Sequence, residues 1–381
     1  MNDNLKKYQL YKELRNLIRA GTLKPGEKLS AEPRLALEFH VSRVTLRGAL
    51  DLLAQDQLLE RVPRKGTFVT RNVGGGSYLA ISDFENTSLS SPARYILAGL
   101  EKHLGEAGRK LECCSQRFIQ SLNTDSAEAI FKKNRIDGVF LLENNFNGDE
   151  KELLLLKNCG LPVIAPHGQL HDREHFTFPL LLSDIRQAFG DGVRHLAGLG
   201  HRRIGTLGSA QEGKKNIYCR GFTRPEYLEL LEYNHLDTDG SLLETAAFDY
   251  ESIRLAVRKM VFGARPPSAI ICFSDFYAIH VYDALKELKI RIPEQMSVMG
   301  FCGFPGGRFM DPPLSTVDLQ YEDIGIAAAE LMLKSSEWFE TGEPPLTIFT
   351  PYRVMPGKST LQANSKFISI QPLKSKQEFA L

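Results

Sequence analysis

Three successive glycines, Gly74-Gly75-Gly76, interrupt this 381-residue chain. A glycine run loses more backbone entropy on ordering than any other residue type and offers no side chain to pack, so it holds neither a helix nor a strand cheaply. With Arg71, Asn72 and Val73 ahead of it and Ser77 behind, it reads as a flexible joint over 72–77. The two sides must then be folded by separate cores. The length agrees, because it exceeds what one ordinary core organises and supplies material for two or three.

The two sides differ in charge and in pattern. Residues 1–71 carry 14 Lys and Arg against 8 Asp and Glu, an excess of +6, which leaves 5 excess negatives for the remainder of a chain whose net charge is +1. The basic end is the one suited to a polyanion. Before the joint the pattern is helical and closes on a short strand pair. After it, short β-rich runs alternate with amphipathic stretches, which predicts an α/β domain with parallel sheet covered by helices. The predicted strands are 78–83, 111–115, 138–142, 162–165, 203–207, 269–273, 297–301 and 347–352. The clearest helices are 93–107, 126–133, 185–199, 226–232, 252–262, 277–288 and 321–333. Beyond Gly357 periodicity is lost, and 359–381 reads as a loose tail.

No apolar run approaches the roughly 20 residues of a membrane span. The amino terminus opens on Asn2, Asp3, Asn4, Lys6 and Lys7 without the apolar stretch of a secretion signal, so a cytoplasmic protein with no membrane partner is expected. Six cysteines (113, 114, 159, 219, 272 and 302) show neither CxxC pairing nor histidine at ligand spacing. They read as reduced, mostly buried thiols. No metal and no cofactor is expected.

In the basic segment, Tyr8, Tyr11, Leu14, Leu17 and Ile18 recur at helical spacing, and Gly21 with Pro25-Gly26 ends that helix. A second helix opens near Glu32-Pro33, where a proline in the first turn forfeits no hydrogen bond, and buries Leu35, Ala36 and Phe39. Ser42 is placed to cap a third, whose Leu46, Ala49, Leu50 and Leu53 form an apolar stripe. At about 100° per residue, Arg43 and Arg47 share one flank, Thr45 lies on the other, and Gly48 points nearly opposite the core. Arginines one turn apart at an exposed helix start suit guanine edges or phosphates. Ser42 and Thr45 are short enough to bond phosphate oxygens, and Gly48 suits either a close approach of DNA or simple drift at a surface position. The run from Leu58 to Val69 then reads as a wing, with Arg64, Lys65 and Gly66 at its tip and Thr67 beside it. Arg43 and Arg47 otherwise serve only as a solvated face.

Ser42-Arg43-Val44-Thr45-Leu46-Arg47 together with Lys65-Gly66-Thr67-Phe68 resembles the gluconate-repressor (GntR) family of winged-helix regulators, over residues 5–70. That resemblance implies a DNA-binding domain at 1–71. The family's arginine after the glutamate of the second helix is replaced here by Pro33, followed by Arg34, which is a candidate DNA contact whether or not it takes over that role.

After the joint, "SDIRQAFGDGVRHLAGLGHRRIGTLG", "DGVFLLENN", "LPVIAP", "PPSAIICFSDFYAIHVYDALKELKIRIPEQMSVMGF" and "PPLSTVD" together resemble the effector domain of the lactose-repressor (LacI/GalR) family, over 78–358. The resemblance implies two Rossmann-like lobes of periplasmic-binding-protein type, crossed three times by the chain, with a ligand held between them. In open parallel sheets the carboxyl ends of the strands carry the ligand groups. By that rule Asp83, Phe84, Glu85, His167, Ser274, Asp275, Phe276 and Cys302 are candidates, with Tyr218 and Arg220 ahead of Gly221-Phe222. The family's sugar-holding arginine falls at Tyr218, its asparagine at Ser274, and its "GFDD" at Gly300-Phe301-Cys302-Gly303. An ordinary monosaccharide in the ordinary pose is therefore not expected; Arg220 is placed to substitute from another angle, and Phe84, Tyr218 and Phe276 to stack on a flat ligand. His201 and Asp184 read as a turn residue and a helix cap.

The whole predicts a homodimeric repressor of carbohydrate-related genes on a palindromic operator in double-stranded DNA, gated by a small molecule such as a sugar or sugar derivative. One alternative is a second domain that only dimerises. Another is a solute-binding receptor, opposed by the basic head. An enzyme would need a nucleophile with a base, or a phosphate-cradling loop, and the sequence offers neither.

Overall fold

The computed structural model describes residues 3–19, 22–56, 58–63, 65–70, 76–83, 91–144, 146–210, 217–339 and 347–363. Arg64, Phe84, Glu85, residues 72–75 of the joint and residues 364–381 lie outside them.

The head consists of α1 (Asp3–Arg19), α2 (Glu32–Glu38), α3 (Arg43–Gln55) and an antiparallel pair, β1 (Leu59–Val62) and β2 (Gly66–Val69). Leu10, Leu14 and Ile18 recur every four residues along α1 and meet Leu35 and Ala36 of α2 and Leu46, Ala49, Leu50 and Leu53 of α3 in one core, closed by Leu59 and Val69. Pro33 sits in the first turn of α2, where the missing N–H is not needed. The hairpin pairs Leu59 with Val69 and Val62 with Gly66, whose φ of +118° suits a residue without a Cβ. Leu29 donates its N–H to the Thr67 carbonyl (2.9 Å) and Lys28 bridges Phe68, so the chain before α2 is laid against the wing.

The chain divides into two compact units, one of Met1–Leu182 with Tyr321–Ile348, the other of Ser183–Gln320 with the residues from Phe349 on. It therefore passes between them three times. Beyond the head, the first unit is built on a six-stranded sheet in the order β13-β7-β6-β5-β3-β4: Thr347–Phe349, Leu180–Leu182, Val163–Gly168, Ile136–Leu141, Ser77–Ser82 and Leu111–Ser115. The second carries β14-β12-β11-β10-β8-β9: Arg353–Met355, Ser315–Asp318, Ser297–Cys302, Ala269–Cys272, Ile204–Ser209 and Leu243–Ala246. The paired strands from β3 to β7 and from β8 to β12 run parallel, and β14 joins β12 antiparallel. In each sheet the first strand, β3 or β8, lies between the next two in sequence, which is a topological switch point.

Several expectations need correction. Of the predicted strand 347–352 only Thr347–Phe349 is a strand, ending before Pro351, which has no N–H for a ladder; β14, Arg353–Met355 in the other sheet, was not foreseen. β7, β9 and β12 were not foreseen, because three or four residues offer too few positions to show a period. Residues 359–363, expected in a loose tail, are tied down: Val298 N–H donates to the Ser359 carbonyl (2.9 Å), Ser359 Oγ donates to the Val298 carbonyl (2.6 Å), and Ala363 N–H reaches the Leu199 carbonyl (2.7 Å). Ser359 is fully buried.

Candidate functional site

The outer surface of the head is set by how α3 is started. Ser42 accepts the Thr45 N–H at 3.0 Å, fixing the first turn, and the stripe from Leu46 to Leu53 is 0–1% exposed. Arg43 is left exposed. Arg47 is 66% exposed, and its Nε donates to Glu32 Oε2 at 2.7 Å. That hydrogen bond, then the Glu32 charge, raises the guanidinium's already high pKa. Arg34 and Lys65 are exposed, and Thr67 is half-buried beside Gly66.

One predicted contact is overturned. Thr45 is 3% exposed with its hydroxyl 2.6 Å from Ser42 Oγ, so it completes the cap and does not face solvent. Its place in the first turn brings it onto Ser42, which the flank reading ignored. Gly48 is half-buried, and a Cβ there would meet Lys7 Cδ at 2.7 Å, so the space beside it is taken by the stem of a lysine from α1. Glu32, which holds Arg47, escaped the sequence reading because its partner lies 15 residues away.

In the second unit, Arg220, Phe273, Ser274, Asp275, Phe276, Cys302 and Phe304 gather at the carboxyl end of β10 and β11. Arg220, at φ +47°, donates from Nε to the Phe273 carbonyl (2.7 Å) and from Nη2 to Cys302 Sγ (3.1 Å). Its guanidinium lies 3.7 Å from the Phe273 ring centroid and 4.7 Å from that of Phe301. Ser274 is buried and caps the following helix through the Tyr277 N–H (3.4 Å). Asp275 is buried as well, accepting from Thr316 Oγ1 (2.6 Å) and the Phe304 N–H (2.5 Å). Burial pushes its carboxyl up to about 7, against the pull of Thr316, Phe304 and Arg220. Half-buried Phe276 packs against Phe304 with ring centroids 5.0 Å apart and the planes tilted by 55°.

Tyr218 is a further correction. Its hydroxyl donates to the Thr206 carbonyl (3.0 Å), its ring packs on Tyr227 at 5.3 Å, and burial holds its pKa well up. It belongs to the core of its own unit, because the chain folds back at Gly221 with Tyr218 N–H bonded to the Phe222 carbonyl. Cys302 and Ser274 are likewise turned to internal partners.

In the first unit, Asp83 follows β3 and donates its N–H to Glu143 Oε1 (2.8 Å), which also accepts from Ser82 Oγ (2.6 Å). His167 stands edge-on to Tyr321 at 5.6 Å, and its carbonyl accepts from Asn144 Nδ2 (3.0 Å). Glu143 and Asn144 were missed, although they end the "DGVFLLENN" strand where the carboxyl-end rule would have found them. His201 is fully buried between Ser268 Oγ (2.8 Å) and the Leu361 carbonyl (3.0 Å), and Asp184 accepts the Gln187 N–H (2.9 Å), as a turn residue and a cap should. Of the cysteines, Cys113 is exposed, Cys114 half-buried and the other four buried.

Comparison with known proteins matches residues 6–69 to the gntR family of bacterial regulatory proteins and residues 193–360 to a periplasmic binding protein-like domain. An arabinose metabolism transcriptional repressor of Geobacillus stearothermophilus is 25% identical over 350 residues, covering 87% of this chain and 92% of that protein. Among solved structures, a transcription regulator from Lactobacillus plantarum superposes with a TM-score of 0.59 at 19% identity, over 75% of this chain and 100% of that one. A CelR–cellobiose complex does so at 0.55 and 18%, over 87% and 100%. This chain thus joins a winged-helix head of the gntR family of bacterial regulatory proteins to a periplasmic binding protein-like domain.

Proposed function

We propose that the protein is a transcriptional repressor that binds double-stranded DNA through α3 and the wing, and whose affinity for DNA is set by a small molecule taken up by the second domain. The observation that carries the DNA-binding reading is the contrast along α3: Leu46, Ala49, Leu50 and Leu53 are sealed in the head while Arg43 and Arg47 stand outside it. A guanidinium beside a duplex makes bidentate bonds to guanine or pairs with phosphates, and Glu32 orients one of the two. Arg34, Lys65 and the Gly66 turn extend the basic surface to the wing. Arginines so placed, mostly exposed and outside the core, suit a polyanion better than they serve folding. Selection of binding sites from random duplex, followed by titration at fixed salt, tests this reading; unchanged affinity in an Arg43→Ala, Arg47→Ala double variant overturns it. The arabinose metabolism repressor among its relatives supports the same assignment, with genes of carbohydrate use as targets. The working form proposed is a homodimer, whose two-fold would be mirrored in a palindromic site. Sedimentation tests the dimer.

For the effector, the candidate groups are Arg220, Asp275 and Phe276 in the second unit and Asp83, Glu143, Asn144 and His167 in the first, and the cellobiose complex among the neighbours favours a carbohydrate. A second reading has one observation behind it. Arg220 and Asp275 are engaged by the protein's own groups, Phe273, Cys302, Thr316 and Phe304, as expected of a domain that serves only to pair subunits. Calorimetric titration with mono- and disaccharides separates the two.

A further inference from the structure

Val44 is 75% exposed, in a helix whose other aliphatic side chains near it are almost completely sealed. At 3.6 residues per turn it lies about 180° around α3 from the stripe of Leu46, Ala49, Leu50 and Leu53. It is flanked by Arg43 and, one turn on, by Arg47, both exposed. On its other side Gly48 has no side chain to shield it; the neighbour there is the stem of Lys7. A β-branched residue costs helix propensity at a solvated position and gains nothing from water, so its isopropyl group wants an apolar partner.

The surface around it decides which partner. Arg43, Arg47, Arg34 and Lys65 make the exterior of this head cationic, which opposes an apolar protein face and suits a duplex. In the major groove the apolar group offered by a base edge is the C5-methyl of thymine. We propose that Val44 is a specificity-determining residue that reads a thymine methyl in each half-site, between the base or phosphate contacts of Arg43 and Arg47. This rests on the DNA-binding reading and extends it from affinity to sequence: the two arginines hold the helix in the groove, and the valine selects a base by its methyl group without a hydrogen bond.

The test needs no knowledge of the operator. Binding sites are selected from random duplex with the full-length protein, and each conserved thymine of the selected site is then replaced singly by uracil, which removes only the methyl. The wild type should lose about fourfold in affinity at one position per half-site, the weight of one buried methyl group. Val44→Ser should bind thymine and uracil equally there while discriminating as before at any other thymine. Its exposed position leaves the fold intact, which an unchanged thermal midpoint verifies. Full retention of thymine preference by Val44→Ser at every position overturns the proposal while leaving the DNA-binding reading in place; failure to select any duplex removes both.

Discussion

Ser42 shows how much one hydroxyl can organise. It accepts the Thr45 N–H and lies 2.6 Å from the Thr45 hydroxyl, so the turn that presents Arg43 is locked by a side chain that also faces outward. Ser42→Ala should lower the stability of the head by about 1 kcal/mol, read in urea denaturation, and weaken DNA binding along with it. Arg43→Ala, by contrast, should leave stability unchanged and lower affinity for the selected site about tenfold or more, with a shallower salt dependence if the lost contact is to phosphate. Asp275 carries a prediction about pH. Burial raises its folded-state carboxyl from the ordinary carboxylate range to about 7. A raised pKa means the native form holds the proton more tightly than the unfolded chain, so this contribution to stability is full below about pH 4 and is lost as pH rises through about 7. The stability of the wild type relative to Asp275→Asn should therefore fall between pH 4 and 8 in parallel denaturation series.

At the scale of elements, the packing between β10, β11 and the helix Asp275–Glu287 leaves no room for change. A Cβ on Gly300 would stand 2.1 Å from Asp275 Oδ1, itself buried. Gly300→Ala should cost about 2–3 kcal/mol in urea denaturation, as overpacking does. The strand-like tail is the opposite case of an element that looks dispensable in sequence. Ser359 and Leu361 lie along β11, and the Leu361 carbonyl takes up His201, whose ring burial holds its pKa down. A chain ending at Lys358 should lose about 3 kcal/mol, since several hydrogen bonds go and a buried imidazole is left short of a partner.

For the whole molecule, the parts and their order follow from local signals in the sequence. The glycine joint, the change from helical to alternating pattern, and the stripe on α3 are local signals, and local periodicity follows directly from helix and strand geometry. They sufficed for the winged head, for most strands of both sheets, and for the exposure of Arg43 and Arg47. Tertiary structure decided which side chains remained available. Gly48 lies against Lys7 and Tyr218 inside a core against Thr206, each because its partner comes from an element whose position no spacing rule specifies, whereas Thr45 and Ser274 are taken up by helix starts three residues away, which the face assignment overlooked. Glu32 and Phe304 enter for the same reason as Gly48 and Tyr218, through partners 15 and 29 residues away. Periodicity assigns a residue to a face, but whether that face meets water, a neighbouring helix or a hydrogen-bonding partner depends on contacts between residues far apart in the chain, and these are settled only when the cores close.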